Sequence, residues 1–289
     1  MAWVHGADIG VATSNDGGTT FLYRGTLDLA ARWGRDTFWA PEIVWAAGEY
    51  HMYVSVIRGV PVRWQGHDRR IVHCVSDDLV QWRHLGPLVL SSRRVIDACV
   101  APLPTGTDGG PAGWRMWFKE EANDSQTWAP DMYDWRVIRP VITGRGHEGP
   151  NVFTLGGWHW LLVDQWRGQG VYRSADQTTW ERDGLILDRP GTRRDDAGIG
   201  MQADVVVADD AAYVVYFTHP GRTELFGDAA LGAGDGPHLG PMVTPAERQS
   251  SIQAARVRVV AGHLICDRDN PLVMALPTTV EQTEQRSAS

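Results

Sequence analysis

A fourfold repeat constrains the fold of this chain more than any other feature of its sequence. Each copy is a short segment that sets a polar residue among apolar ones, and successive copies start 57, 51 and 54 residues apart. The copies read WAPEIVW from Trp39, IDACVAP from Ile96, HEGPNVF from His147 and MQADVVV from Met201. A nearly constant interval of this length indicates a series of similar supersecondary units.

The apolar runs that follow these segments have the composition of β-strands. Clear examples are YHMYVSVI at Tyr50–Ile57, WRMWFK at Trp114–Lys119, WHWLLV at Trp158–Val163 and AYVVYFT at Ala212–Thr218. β-Branched and aromatic residues favour strands, and the Gly, Asp and Asn residues between the runs favour turns. The periodicity of amphipathic helices is almost absent, so we predict an all-β chain.

A second repeated motif, Ser-x-Asp followed by an aromatic residue, predicts hairpin turns. It reads TSNDGGTTF at Thr13–Phe21, VSDDLVQW at Val75–Trp82 and RSADQTTW at Arg173–Trp180, with a degenerate copy, APDMYDW, at Ala129–Trp135. Ser and Asp side chains in such turns accept hydrogen bonds from nearby backbone N–H groups. We expect the aromatic residue to begin the returning strand.

Together the two motifs divide the chain into four-stranded units. Four units fit between Trp39 and Asp269, and the preceding stretch supplies a third strand at Ile9–Ser14 and a fourth strand at Phe21–Leu27. Four whole blades and half of another predict a five-bladed β-propeller with an incomplete first blade.

The count of blades also sets the expected domain boundaries. The propeller is predicted as a single domain over residues 1–277, with the half blade at 1–37 and a disordered tail at 278–289. A half blade leaves its third strand as an open edge, which is prone to pair with another strand. Either the segment Leu272–Leu276 covers this edge, or another chain does, or the pocket is wider than usual. We therefore expect some tendency to form a homodimer.

Composition excludes several classes of protein. The formal net charge of −8 and the lack of a Lys/Arg run argue against a nucleic-acid partner. No apolar run approaches the roughly 20 residues of a membrane span, so we expect no membrane partner. The first residues lack the basic and apolar regions of a signal peptide, which predicts a cytoplasmic location. The three Cys residues have no C-x-x-C spacing, which disfavours a zinc site.

The polar residues most able to do chemistry fall on one predicted face of the propeller. Because neighbouring strands alternate in direction, this face collects the starts of first strands and the ends of second strands. The candidates there are Glu42, Asp97, Glu148 and Gln202 on first strands, Asp164 and His219 on second strands, and Asp8 in the half blade. Three Trp residues are candidates for stacking on a sugar ring, namely Trp39, Trp64 and Trp166.

Asp97 and Glu148 are the strongest of these candidates. Asp97 lies between apolar residues, where a carboxylate needs partners or a shifted pKa. It either tunes its neighbours or orients substrate, or it caps a turn or pairs with Arg93 or Arg94. Glu148 precedes Gly149 and Pro150, which fix the backbone so that the carboxyl group can point along the axis as a general acid. The alternative for Glu148 is an ordinary loop position, and His219 is open to interpretation as a core histidine.

The motifs WAPEI, GEYHMYVS, VIDACV and HEGPNVF, in this order, resemble those of glycoside hydrolase family 43. This family consists of five-bladed propellers that act as arabinofuranosidases, xylosidases and arabinanases, and the resemblance extends from Ile9 to Asp269. Relatives that cleave sucrose and fructans carry Cys where Gly149 stands, together with Asn-Asp-Pro and Arg-Asp-Pro motifs. None of these is present, which disfavours that branch.

The resemblance implies inverting hydrolysis of a pentose-containing or related oligosaccharide by three carboxylates, with no required cofactor. Glu148 corresponds to the general acid, and Asp97 to the Asp that tunes its pKa, although Ala98 replaces the family's Pro. His219 matches a central His that often contacts a metal ion, so the resemblance implies a calcium ion on the axis near it. Arg248 matches an Arg that contacts substrate.

The third carboxylate departs from the pattern of the family. The general base is usually an Asp in an Asp-Pro pair on the first strand of blade one, and this sequence contains no Asp-Pro pair. The base lies upstream of the given chain, or another acid replaces it, or the chain is a non-catalytic carbohydrate-binding propeller. Asp8 enters on the correct face and is the candidate substitute.

Overall fold

A computed structural model describes residues 8–29, 35–61, 66–103, 112–120, 123–129, 131–143, 146–208, 211–222, 244–274 and 276. All regular secondary structure in these ranges is β-strand. No helix in the described ranges is long and apolar enough to cross a membrane. The predicted tail at 278–289 lies outside them.

The strands form one two-stranded and four four-stranded antiparallel sheets within the described residues. The half blade contains β1 (Gly10–Thr13) and β2 (Leu22–Thr26). Blade two contains β3 (Thr37–Ala46), β4 (Glu49–Ile57), β5 (Arg69–Ser76) and β6 (Arg83–Pro87). Blade three contains β7 (Val95–Leu103), β8 (Gly113–Glu120), β9 (Asn123–Trp128) and β10 (Arg136–Ile142).

Blade four contains β11 (Glu148–Leu155), β12 (Trp158–Asp164), β13 (Gln169–Ser174) and β14 (Glu181–Ile186). Blade five contains β15 (Met201–Ala208), β16 (Ala211–Thr218), β17 (Ser251–Val260) and β18 (His263–Cys266). Within each sheet, every strand pairs with the next one along the chain, as in a meander. The prediction of an all-β, five-bladed propeller is confirmed, and the described residues of the first blade form two strands.

The Ser-x-Asp motifs form the turns that the sequence predicts between third and fourth strands. In blade two, Asp78 Oδ1 accepts hydrogen bonds from the N–H groups of Val80 and Gln81, each at 2.8 Å. The Ser76 hydroxyl donates to the same oxygen. Asp16 and Asp176 make corresponding bonds in their turns. The chemistry is local, and for that reason the motif alone was enough to place these turns.

Apolar side chains on facing sheets fill the space between blades. Between blades four and five the cluster includes Trp160, Val214, Tyr216 and Val257. Trp117 and Trp160 are both fully buried, which agrees with an interpretation of most Trp residues as core. Burial of side chains this large makes the inter-blade contacts a main source of stability.

The half blade contacts both blade two and the C-terminal segment. Leu27 N–H donates to Ile9 O at 2.9 Å, and both side chains pack against the core of blade two. Leu276 N–H donates to Gly17 O at 3.0 Å, and Met274 is buried. The C-terminal segment therefore meets the turn between β1 and β2. The expected homodimer stays a prediction.

A buried pair of histidines lies between blades two and three. His51 Nδ1 is 3.0 Å from His73 Nε2, so one ring donates to the other. The His73 ring also stacks on Tyr53, and Tyr133 packs against both imidazoles. Burial lowers the pKa of both histidines, that of His73 to about 3 with a further contribution from His51.

This pair makes stability sensitive to acid. The unfolded chain binds a proton at each His near pH 6.5, whereas folded His73 stays neutral down to about pH 3. Stability is therefore lost as the pH falls below 6.5, and His73 alone accounts for about 2 kcal/mol between pH 7 and pH 5. Urea unfolding at both pH values measures the loss.

The variant His73→Phe isolates this effect, because Phe retains the stacking on Tyr53 and does not titrate. Glu49 and Arg83 also lie beside the pair, with Glu49 Oε1 4.0 Å from His51 Nε2. Both remain in the variant, so the difference between the two proteins reports His73. An equal loss of stability on acidification in both proteins would show that His73 does not contribute.

Candidate active site

The first strand of every complete blade begins with the same backbone irregularity. The strand register shifts at this point in all four blades. In each case one residue has a positive φ, with values of 40° at Ala40, 56° at Asp97, 59° at Gly149 and 45° at Gln202. A left-handed residue in a bulge redirects the neighbouring side chains. Here the bulges direct the side chains of three candidate residues, Asp97, Glu148 and Gln202, towards one region.

Glu148 is held by two side-chain donors at this region. Its Oε1 accepts one hydrogen bond from Trp166 Nε1 and one from Gln202 Nε2, both at 3.0 Å. Glu148 is the first residue of β11 and is partly buried, so its carboxyl group is both fixed and accessible. A general acid needs this combination of fixed orientation and access to substrate.

Asp164 joins the same network from the end of β12. It lies directly opposite Glu148 in the strand register, and its side chain is 1% exposed. Its Oδ1 accepts Trp166 N–H at 2.7 Å, and its Oδ2 accepts Gln202 N–H at 2.8 Å. The structure thus brings together four predicted residues from three strands and one loop.

Asp97 connects blade three to this network. It is 5% exposed, and its Oδ2 accepts the N–H of Gly149 at 3.0 Å. Its own N–H donates to Ser55 Oγ at 2.9 Å. The Asp97 carboxyl group therefore contacts the residue that follows Glu148, and its role stays a prediction.

Little space is left beside the Cα atom of Gly149. A Cβ atom there would lie 2.7 Å from Gln202 Oε1. We expect Gly149→Ala to push the Gln202 side chain away from Glu148 and to lower kcat about tenfold. The fold should persist, because Ala40 occupies the equivalent position of blade two with a positive φ.

Steady-state kinetics and thermal melting of Gly149→Ala test this expectation. Gly157→Ala is the matched control, since Gly157 also has a positive φ but a Cβ atom there would meet no described atom within 4 Å. If kcat is unchanged in Gly149→Ala and the melting temperature falls equally in both variants, the position of Gln202 does not affect catalysis.

A further layer of side chains links neighbouring blades. Its members lie two residues after the residue with a positive φ in each bulge. Glu42 Oε1 accepts Val100 N–H at 2.8 Å, and Cys99 Sγ accepts Val152 N–H at 3.2 Å. Asn151 Nδ2 donates to Asp204 Oδ1 at 2.6 Å. Burial, with a contribution from the Asp204 charge, raises the pKa of Glu42 to about 8.

This layer gives Glu42 a structural role, whereas the sequence predicted a substrate contact. The contact with substrate stays a prediction. Sequence reasoning missed the remaining members of the layer, Cys99, Asn151 and Asp204. Cys99 and Asp204 occupy the same position of their repeat copies as Glu42, whereas Asn151 falls into line only when the copies are aligned on the residues with a positive φ.

The remaining candidates lie around this network. His219 follows β16, is buried, and its Nδ1 lies 3.0 Å from Gln249 O and 3.4 Å from Ser250 Oγ. Arg248 precedes Gln249 in the chain and is partly buried. Trp39 lies opposite Ser55 in the register of blade two. Trp64 lies outside the described residues.

Asp8, the candidate base, is exposed and precedes β1. In the part of the chain that the structure describes, no hydrogen bond joins Asp8 to the network around Glu148. Its role as the base stays a prediction.

The surroundings of His219 do not favour a calcium ion. Ca²⁺ takes six to eight oxygen ligands, several of them carboxylates. Burial lowers the pKa of His219, and the Arg222 charge lowers it further. No cluster of three His, Cys, Asp or Glu side chains fit for a metal occurs among the described residues. We therefore assign no chemical step to an ion.

No protein-family model and no curated protein matches this chain at a significant level. Solved structures do match it. A thermostable family-43 glycoside hydrolase has a TM-score of 0.64 at 17% identity, covering 93% of this chain and 88% of its own. An exo-1,5-α-L-arabinanase from a bovine ruminal metagenomic library has a TM-score of 0.59 at 15% identity, covering 91% of each chain.

A propeller of another glycosidase family matches as well. The Bombyx mori family-32 β-fructofuranosidase, solved as a mutant with sucrose, has a TM-score of 0.63 at 12% identity and covers 91% of this chain and 56% of its own. Identities this low establish the fold and leave the activity to be argued from the site. The chain has the five-bladed fold of the family-43 glycoside hydrolases, as its sequence motifs predicted.

Proposed function

We propose that this protein is a glycoside hydrolase that cleaves an arabinose- or xylose-type oligosaccharide with inversion of configuration. The observation that carries the proposal is the fixed, partly buried carboxyl group of Glu148, bonded to Trp166 and Gln202 and adjacent to the buried Asp97. The arabinanase among the structural neighbours supports a pentose substrate.

In this proposal Glu148 is the general acid. It gives its proton to the glycosidic oxygen as the bond to the anomeric carbon breaks. A water molecule attacks the opposite face of the sugar and loses its proton to a base. The bonds from Trp166 and Gln202 hold one carboxyl oxygen, which orients the group towards the leaving oxygen.

Asp97 is the second participant. Its Oδ2 accepts the N–H of Gly149, which places a carboxyl group beside the residue after the acid. A nearby negative charge favours the protonated form of a neighbouring carboxyl group. We propose that Asp97 in this way helps to keep a proton available for the leaving group.

The base of the reaction is proposed to be Asp8. An inverting pair needs about 6.5–9.5 Å between its carboxyl groups, so that a water molecule fits. Asp8 is exposed, which suits a group that must bind water. The variant Asp8→Asn should lose hydrolysis, and full activity in that variant would assign the base elsewhere.

Incubation with arabino- and xylo-oligosaccharides tests the function as a whole. We expect new reducing ends with the unmodified protein and none with Glu148→Ala. The alternative is a carbohydrate-binding propeller without turnover, which the missing Asp-Pro pair favours. Binding of the same sugars by calorimetry, without cleavage over a long incubation, would establish the alternative.

A further inference from the structure

Asp164 accepts hydrogen bonds from both residues that donate to Glu148. Its place at the end of a second strand predicted a contact with substrate. Yet the side chain is 1% exposed, and each of its oxygens accepts a backbone N–H group. A carboxylate this buried is costly unless hydrogen bonds compensate for the lost water. The Asp164 carboxyl group therefore has little access to a ligand from solvent, and it contacts its two backbone partners.

The two partners of Asp164 are the same residues that hold Glu148. Trp166 and Gln202 each donate a backbone N–H to Asp164 and a side-chain N–H to Glu148 Oε1. Each residue thus bridges one carboxyl group to the other. We infer that Asp164 is a positioning residue that fixes the Glu148 carboxyl group through Trp166 and Gln202, an inference that rests on the proposed function of Glu148.

Backbone strain explains why both partners need this anchor. Trp166 has a φ of 55° and Gln202 a φ of 45°, values that residues with a Cβ adopt at a cost of about 1 kcal/mol or more. Hydrogen bonds to an ionised acceptor are about twice as strong as neutral ones. The charge on Asp164 thus offsets the strain and holds both residues in the conformation that directs their side chains to Glu148.

Blade two provides an internal comparison. Ser55 lies opposite Trp39 in the register as Asp164 lies opposite Glu148, and Ser55 Oγ accepts the N–H of Asp97 in the next blade. Asp164 Oδ2 makes the equivalent bond to Gln202. Asp164 Oδ1 accepts Trp166 N–H, and Ser55 has no second side-chain oxygen that could make a corresponding bond.

Two variants follow from the likeness between Asp164 and Ser55. Asp164→Asn keeps one acceptor and turns the other into a donor that faces an N–H group. Asp164→Ser copies the arrangement of blade two and retains an acceptor for Gln202 while it releases Trp166. Asp176→Asn is the matched control, because Asp176 also accepts two backbone N–H groups but lies in a hairpin turn of the same blade.

The first measurement does not depend on activity. The indole N–H resonance of Trp166, assigned with Trp166→Phe, reports its bond to Glu148 in spectra of protein with ¹⁵N-labelled tryptophan. We expect Asp164→Asn and Asp164→Ser to move this resonance towards its position in Glu148→Ala. Asp176→Asn should leave it in place. An unmoved resonance in both Asp164 variants would overturn the inference, even if the protein hydrolyses no sugar.

The second measurement uses the active protein. We expect kcat to fall about 10- to 100-fold in Asp164→Asn with KM changed less than twofold, because only the orientation of the acid is lost. In the background Trp166→Phe with Gln202→Met, both side-chain bridges are gone, so Asp164→Asn should add no further loss. An undiminished loss in that background, or a rise in KM alone, would show that Asp164 acts by another route.

Discussion

Glu148→Gln is expected to reduce kcat on an oligosaccharide by about 10³-fold, within the range that general acid catalysis supplies. Gln has the shape of Glu and retains a carbonyl oxygen that can accept the bonds from Trp166 and Gln202. It has no acidic proton to give to the leaving oxygen. The fold and the affinity for substrate should therefore persist while the chemical step fails.

The leaving group provides the control for this prediction. A nitrophenyl glycoside has a leaving group that departs without protonation, so Glu148→Gln should lose much less activity on it than on an oligosaccharide. Measurement of kcat for both substrates gives the ratio. Equal losses on the two substrates would mean that Glu148 does not act as the acid.

Asp97→Asn has the second largest expected effect, a loss of about 10²-fold in kcat. Asn tolerates the positive φ of 56° at this position, and its carbonyl oxygen can still accept the N–H of Gly149. The substitution therefore removes the charge and leaves the backbone in place. Kinetics at the pH optimum, with a thermal melt to confirm the fold, measure the effect.

Asp97→Ala separates charge from hydrogen bonding. This variant also leaves the buried Gly149 N–H without its acceptor, which costs about 1–3 kcal/mol of stability. We expect kcat to fall equally in the two variants. Only Asp97→Ala should unfold at a clearly lower temperature than the unmodified protein. Wild-type kinetics in Asp97→Asn would contradict a role for the charge of Asp97.

The strands and turns could be predicted from sequence because their causes are local. The run at Trp158–Val163 became β12, and the motifs around Ser76 and Asp78 became a hairpin turn, through side-chain chemistry within a few residues. The half blade could be predicted by counting these local strand and turn units along the chain. Its strands proved shorter than predicted, at Gly10–Thr13 and Leu22–Thr26.

The arrangement of the site could be predicted only in part. The sequence singled out Glu148, Asp164, Trp166 and Gln202 one at a time, from their places at strand ends. Their connection depends on left-handed residues at bulges and on the packing of blade five against blade four. Neither leaves a signal in the spacing of residues, so the sequence predicted a substrate contact for Asp164 and did not predict its hydrogen bonds with Trp166 and Gln202.

The most direct test of the proposed function follows the cleavage of an arabino- or xylo-oligosaccharide by ¹H NMR spectroscopy. The signal of the anomeric proton shows which anomer of the product forms first. We expect the anomer opposite to that of the substrate with the unmodified protein, and product formation about 10³-fold slower with Glu148→Gln. A first product with retained configuration, or cleavage of the oligosaccharide by Glu148→Gln at the rate of the unmodified protein, would contradict this mechanism.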